Sequence, residues 1–402
     1  MFLLYWSFGI WVVTVGTYIA ANTEREGRGI FSAGFIGYSA VAGAIGSVLS
    51  PAIVGYLSDR FFSAQTLLAV MQFACAAATW GMHESQTELG FLTCLLVYFH
   101  AFFPAMAMTN KIALSQLANT DAEYPSVRIA GTLGWIAAGL CVGFVIPIMI
   151  GRSIEATRIP LTLATISSLV MGAYALTLPP TLPAWSTDAD GAGPRLAAAA
   201  PALQNRPLAL FLLVAVFACM ASAAYNNYAN VFLNREGFPY PAASMIIGQI
   251  SDIACLSITP WLIARVGLRP VFAVGILAWS VRYSLLAAGS YFGSAWSVYA
   301  AIAVHGPCFV FVFVAGAMLV NQLAIDSQRG TAQGLFTVAS TGIGTLLGAL
   351  IMGRAQTLLL TPENVTPAPY DWPRFWLVPA FCSLAALGLT AYVFKLSIWR
   401  RR

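Results

Sequence analysis

Apolar residues in this chain come in runs of about 20, separated by short polar segments. Wound as α-helix, a run of that length crosses the hydrocarbon core of a bilayer. Twelve are predicted, at roughly 2–22, 33–57, 64–82, 89–110, 127–150, 159–180, 208–233, 239–264, 270–290, 294–320, 331–353 and 373–397. The intervening loops are short, except for 181–207. That stretch is rich in Pro and Ala and polar in its middle, and it reads as a linker between six-helix halves at 1–180 and 208–402.

Composition agrees with a bilayer as solvent. Of 402 residues, 59% are hydrophobic and 9% charged, against about 25% charged in a soluble domain. A water-soluble enzyme and a disordered chain are excluded. Long runs, rather than alternation, argue against a β-barrel. The first run starts at Phe2 with no basic stretch before it and is long enough to span, so it reads as a helix and not a signal peptide. Lys and Arg are in excess on the loops that share a side with both termini, which places both termini in the cytoplasm. The net charge is only +5, and Arg400 to Arg402 suit a tail near anionic lipid better than a nucleic-acid surface. Seven scattered cysteines and three histidines show no metal-ligand spacing and no disulfide framework, so no cofactor or metal is expected. No Ser–His or His–Asp constellation lies near a membrane face, and no enzyme is predicted.

The two halves resemble each other. Gln116-Leu117-Ala118 recurs as Gln322-Leu323-Ala324, and Arg25-Glu26-Gly27 recurs as Arg235-Glu236-Gly237, both displaced by about half the chain. Two parallel six-helix repeats are the plan of major facilitator transporters. Gly55-Tyr56-Leu57-Ser58-Asp59-Arg60 matches the start of that superfamily's signature, Gly-x-x-x-Asp-Arg, between spans two and three. Asp59 and Arg60 are therefore candidate gate residues; the alternative is a helix end with an arginine kept inside.

A charge at the bilayer centre costs about 2.5–3.5 kcal/mol on insertion scales, and it usually faces a partner or a wet cavity. Asp252 is the acid well inside a span, with Gln249 three residues earlier on the same face. It reads as a transport and proton site, or as a static pair with Arg282 of the next span. Arg128, Thr132 and Trp135 form one stripe in span five that suits a flat polar solute, unless Arg128 only snorkels to the interface. Asn226 and Asn230 share a face in span seven and are expected to line a cavity, the alternative being interhelical glue. Trp11, Thr14, Thr17 and Tyr18 read as a cavity stripe or an interfacial belt. His100 and His305 read as packing residues, and Gly342, Gly344 and Gly348 as close helix packing.

Together these residues resemble a family. Arg128-Ile129-Ala130-Gly131-Thr132-Leu133-Gly134-Trp135 is similar to the Arg-Ile-x-Gly-Thr-x-Gly-aromatic segment of bacterial nucleoside:proton symporters of the major facilitator superfamily. Trp11 to Tyr18, Gly248 to Asp252, Ala278 to Tyr283 and Ala332 to Phe336 agree with it in order. The resemblance implies an all-α fold of twelve transmembrane helices in two pseudo-symmetric bundles, with a nucleoside site between the halves. By motif match, the site would hold Arg128, Thr132, Trp135, Asn226, Gln249, Asp252 and Phe309. Trp135 and Phe309 would stack on the base, and the amides and carboxylate would bond its edges and the ribose hydroxyls. Two positions depart from the family: Ala223 stands for a Gln, and Val310 for the Asp tied to proton coupling. Either Asp252 carries the proton or the protein is an uncoupled facilitator. The expected protein is a monomeric secondary transporter of the cytoplasmic (inner) membrane, with a nucleoside and protons as its partners. Alternatives are a carrier of a sugar or another small polar solute, or a non-transporting sensor on the same fold.

Overall fold

The computed structural model describes residues 1–23, 27–183, 203–325, 328–360 and 370–395. Most of the linker, the Arg25-Glu26 pair and the basic tail at 400–402 lie outside the described residues.

The described residues form twelve helical spans. They are α1 (Phe2–Ala20), α2 (Phe35–Arg60), α3 (Ala64–Glu84), α4 (Glu88–Gln116), α5 (Ser126–Ile150) and α6 (Ile159–Ala175), then α7 (Arg206–Arg235), α8 (Pro241–Val266), α9 (Leu268–Phe292), α10 (Ala295–Ala303 and His305–Leu323), α11 (Arg329–Leu359) and α12 (Trp372–Lys395). Ten carry an apolar window long enough to cross a membrane; α3 and α6 complete the set. Each predicted run corresponds to one helix. The chain is thus an all-α, multi-pass membrane protein.

Proline and capping set the local detail. Thr87 caps α4 by accepting the Gly90 amide at 3.1 Å. Pro51, Pro104, Pro260 and Pro379 sit inside spans, where each removes one backbone bond. Three π-helical turns interrupt the spans, at Cys141–Val145, Val310–Val314 and Val338–Gly344. Such turns favour functional positions, and the second begins directly after Phe309.

The chain divides into two compact units, Met1–Gly193 with Asn227–Ile246, and Pro194–Asn226 with Ile247–Arg402. In the first, α1 packs on α5 and α6, α3 on α4 and α6, and α2 on α4. Its core holds Phe8 stacked on Phe102 at 4.0 Å, and Phe31 on Phe35 at 4.9 Å. Trp11, Thr14, Thr17 and Tyr18 are all buried here, so they form neither a cavity stripe nor an interfacial belt. In the second unit, α7 packs on α11 and α12, and α9 on α10 and α12. Rings of Trp279, Tyr283, Trp376 and Trp372 stack in series with centroids 5.7–5.9 Å apart. Two of the α11 glycines, Gly344 and Gly348, do serve close packing: a Cβ on Gly344 would lie 2.7 Å from the Val216 carbonyl of α7, and one on Gly348 would strike the Met220 carbonyl.

Candidate functional site

In the first unit the Arg128 stripe is built by glycine. A Cβ on Gly131 would meet the Tyr5 ring at 2.8 Å, and one on Gly134 would strike the Phe2 carbonyl. With only hydrogens there, α5 lies against α1 and Tyr5 comes under Arg128. The guanidinium carbon sits 5.1 Å from the Tyr5 ring centroid, and Arg128 donates a hydrogen bond to the Tyr5 hydroxyl. Arg128 is exposed, while Thr132 and Trp135 are half-buried along the same face. Trp135 meets Phe8 edge-on at 5.4 Å. An accessible cation, a hydroxyl and an indole thus share one surface.

The second unit holds Asn226, Gln249, Asp252 and Phe309. Asn226 and Phe309 are exposed, and Gln249 and Asp252 half-buried. Asp252 and Arg282 are not a direct pair: His305 of α10 stands between them. Its Nε2 lies 3.5 Å from Asp252 Oδ2, and Arg282 Nη1 lies 2.9 Å from its Nδ1. Arg282 is fully buried, with its guanidinium carbon 3.2 Å from the Tyr225 ring centroid. Phe309 stacks on His305 at 5.8 Å. Asp252, His305, Phe309 and the residue beside Asn226 are therefore one cluster. His305 is not a mere packing residue. The available signal was its place four residues before Phe309, on the same helix face. His100 does conform to the packing reading, with Nδ1 2.8 Å from the Leu96 carbonyl of its own helix.

Each of the two signature residues meets a neighbouring side chain. Asp59 binds Lys111 of α4 at 2.8 Å, and the same ammonium donates to the Ser58 hydroxyl at 2.9 Å. Arg60 lies over the Tyr56 ring at 5.1 Å. The motif's acid thus ties α2 to α4 within the first unit.

One polar cluster escaped the sequence. Glu155, in the loop between α5 and α6, is 1% exposed. Its Oε2 accepts from Asn230 at 2.7 Å and Asn234 at 2.9 Å, and its Oε1 from the Ala242 amide at 3.0 Å. Thr17 donates to the Asn230 side-chain amide oxygen Oδ1 at 2.6 Å. Asn230 therefore acts as interhelical glue rather than a cavity lining, and the two asparagines of the α7 stripe part company. Burial pushes the Glu155 carboxyl above its ordinary 4.5, and the donors from Asn234, Ala242 and Asn230 pull it partly back. Nothing in the loop sequence marks this acid, because its partners are 75 or more residues away.

Among the described residues, no group of His, Cys, Asp and Glu could hold a metal ion. The sequence model of a family described as nucleoside H+ symporter matches residues 1–398. YegT, a candidate nucleoside transporter of Escherichia coli (strain K12), is 32% identical over 94% of this chain and 88% of that protein. The xanthosine permease of the same organism is 26% identical over 98% of this chain and 94% of that protein. The crystal structure of the nucleoside transporter NupG superposes with a TM-score of 0.85 at 24% identity, over 98% of this chain and 97% of that one.

Proposed function

The chain belongs to the nucleoside H+ symporter family, a family of transporters and not of enzymes, and from that premise we propose that it carries nucleosides across the cytoplasmic membrane by proton-coupled alternating access. The observation that carries the reading is the accessibility of the polar set within apolar spans. Arg128 and Asn226 are exposed, and Thr132, Gln249 and Asp252 half-buried, although desolvating such groups is unfavourable. Trp135 and Phe309 supply the flat apolar faces a nucleobase stacks on. Arg128, Asn226, Gln249 and Thr132 supply donors, and Asp252 the acceptor that ribose hydroxyls seek.

Asp252 is the proton carrier in this reading, since Val310 has no titratable group and is buried. Both termini face the cytoplasm, the protein acts as a monomer, and 1–180 and 208–402 are the halves that rock. Asp59 and Arg60 belong to the inner gate, with Lys111 as the partner Asp59 must leave.

Radiolabelled uptake across a nucleoside panel tests this, with and without a proton uncoupler. Arg128→Ala and Asp252→Asn are expected to abolish uptake while the protein remains inserted and folded. Wild-type rates in both would refute the site. Uptake that ignores the uncoupler would leave an uncoupled facilitator.

A further inference from the structure

Arg282 dictates the chemistry of its neighbour. A guanidinium carries donors only, so the His305 Nδ1 that it meets at 2.9 Å must be a lone pair. The ring is then neutral, and its one hydrogen is on Nε2, facing Asp252 Oδ2 at 3.5 Å. That separation is slightly longer than a normal hydrogen bond, so the two groups act on each other as a close electrostatic contact. Arg282 Nε and Nη2 and Asp252 Oδ1 are buried with no hydrogen-bond partner. The buried cation is balanced by the faces of Tyr225 and, at 5.4 Å, Trp279, and by Asp252 through the imidazole. Among the described residues, the other titratable side chains around the cluster are Tyr225, Tyr283, Cys255 and Cys308. These are phenols and thiols whose ordinary pKa values leave them neutral near pH 7.

Close backbone approach builds the arrangement. A Cβ on Gly248 would sit 3.0 Å from the His305 Cβ, and one on Gly306 would strike the Ser251 carbonyl. The Gly306 amide bonds the Ser251 hydroxyl at 3.2 Å. Two glycines thus let α8 and α10 touch where Asp252 and His305 must meet.

We propose that His305 is a positioning residue, a neutral relay with a fixed tautomer that couples the protonation of Asp252 to Arg282 and so to the packing of α9. The inference rests on the proton role proposed for Asp252. The carboxylate takes up one proton and becomes a carboxylic acid, the imidazole stays neutral, and no other bond changes. Neutralised Asp252 no longer balances Arg282, and the α8–α9–α10 packing that the pair stabilises is weakened.

The test compares two assays in proteoliposomes: uridine counterflow, which needs no net proton movement, and uridine accumulation driven by an imposed pH gradient. His305→Phe keeps a ring without nitrogen. His305→Asn offers Arg282 an acceptor but is too short to reach Asp252. Both are expected to lower the ratio of accumulation to counterflow about tenfold. His305→Gln, whose amide offers an acceptor to one side and a donor to the other, is expected to restore it to within about twofold. Equal falls in both assays for the Phe and Asn variants, or a Gln variant no better than they are, would reduce His305 to a structural role and overturn the relay. An unchanged ratio in all three would overturn it too. The wild type reads the underlying premise separately: failure to accumulate uridine under the gradient would remove proton coupling itself.

Discussion

Arg128 shows how one side chain can be both accessible and oriented. Its partner is the Tyr5 hydroxyl, with the Tyr5 ring 5.1 Å from the guanidinium carbon. A planar fork held at one edge leaves its other donors free for a solute. Tyr5→Phe removes the hydrogen bond and keeps the ring. Losing about 0.5–1.5 kcal/mol of orientation is expected to raise the KM for uptake by roughly threefold to tenfold, with maximal rate nearly unchanged. Uptake kinetics check this, and a fall in maximal rate at constant KM would contradict it. Arg128 and Asp252 were legible because a charge inside an apolar run is conspicuous. Glu155 and His305 were not. The first sits among ordinary loop charges, and the second draws its role from an arginine 23 residues away.

At the scale of elements, the twelve spans followed from run length alone, because the bilayer forces helix on any apolar run long enough to cross it. The π-helical turns and the break of α10 at Val304 did not, since they depend on packing that no local pattern encodes. Glycine separates these two kinds of information. Gly306→Ala pushes a methyl group into the Ser251 carbonyl, and such overpacking costs about 1–3 kcal/mol. Gly388→Ala in α12 meets nothing within 4 Å, and should gain about 0.5–1 kcal/mol from helix propensity. Thermal unfolding in detergent is expected to move in opposite directions for the two variants.

The Glu155 cluster makes a prediction about pH. It joins the α5–α6 loop to the ends of α7 and α8 and, through Asn230, to Thr17 of α1. Its hydrogen-bond partners among the described residues are neutral. Arg235 donates instead to the Ala20 carbonyl at 3.0 Å, and Arg152 is exposed. A carboxyl raised by burial binds its proton more tightly in the folded protein. Its contribution is therefore complete at acid pH and is lost as pH climbs through the raised value above 4.5. Wild-type melting temperature should fall over that range, and Glu155→Gln should flatten the dependence. Glu155→Ala leaves the Asn230 amide and the Ala242 N–H without their acceptor and is expected to destabilise at every pH, at about 1–3 kcal/mol per unsatisfied group.

At the scale of the molecule, the two units repeat one packing scheme with different chemistry. The contacts of α1 with α5 and α6 correspond to those of α7 with α11 and α12. Those of α3 with α4 and α6 correspond to α9 with α10 and α12. Short repeated tripeptides hinted at this duplication, but they carried no information on where charge would fall. One unit presents the cation Arg128 beside Trp135, and the other presents Asp252 with amides and Phe309. A nucleoside has a flat ring and an acceptor that suit the arginine set, and hydroxyls that suit the carboxylate set, and so offers all three. Neither free ribose nor a free base does. Binding to the folded state alone raises stability by about 2.7 kcal/mol at a hundredfold excess over Kd. Nucleosides should therefore raise the melting temperature of the detergent-solubilised protein, while ribose and free bases at the same concentration should leave it nearly unchanged. Arg128→Ala and Asp252→Asn should each remove most of the nucleoside shift. A ribose shift equal to that of the nucleosides would assign the site to sugars and leave the two aromatic rings without a partner.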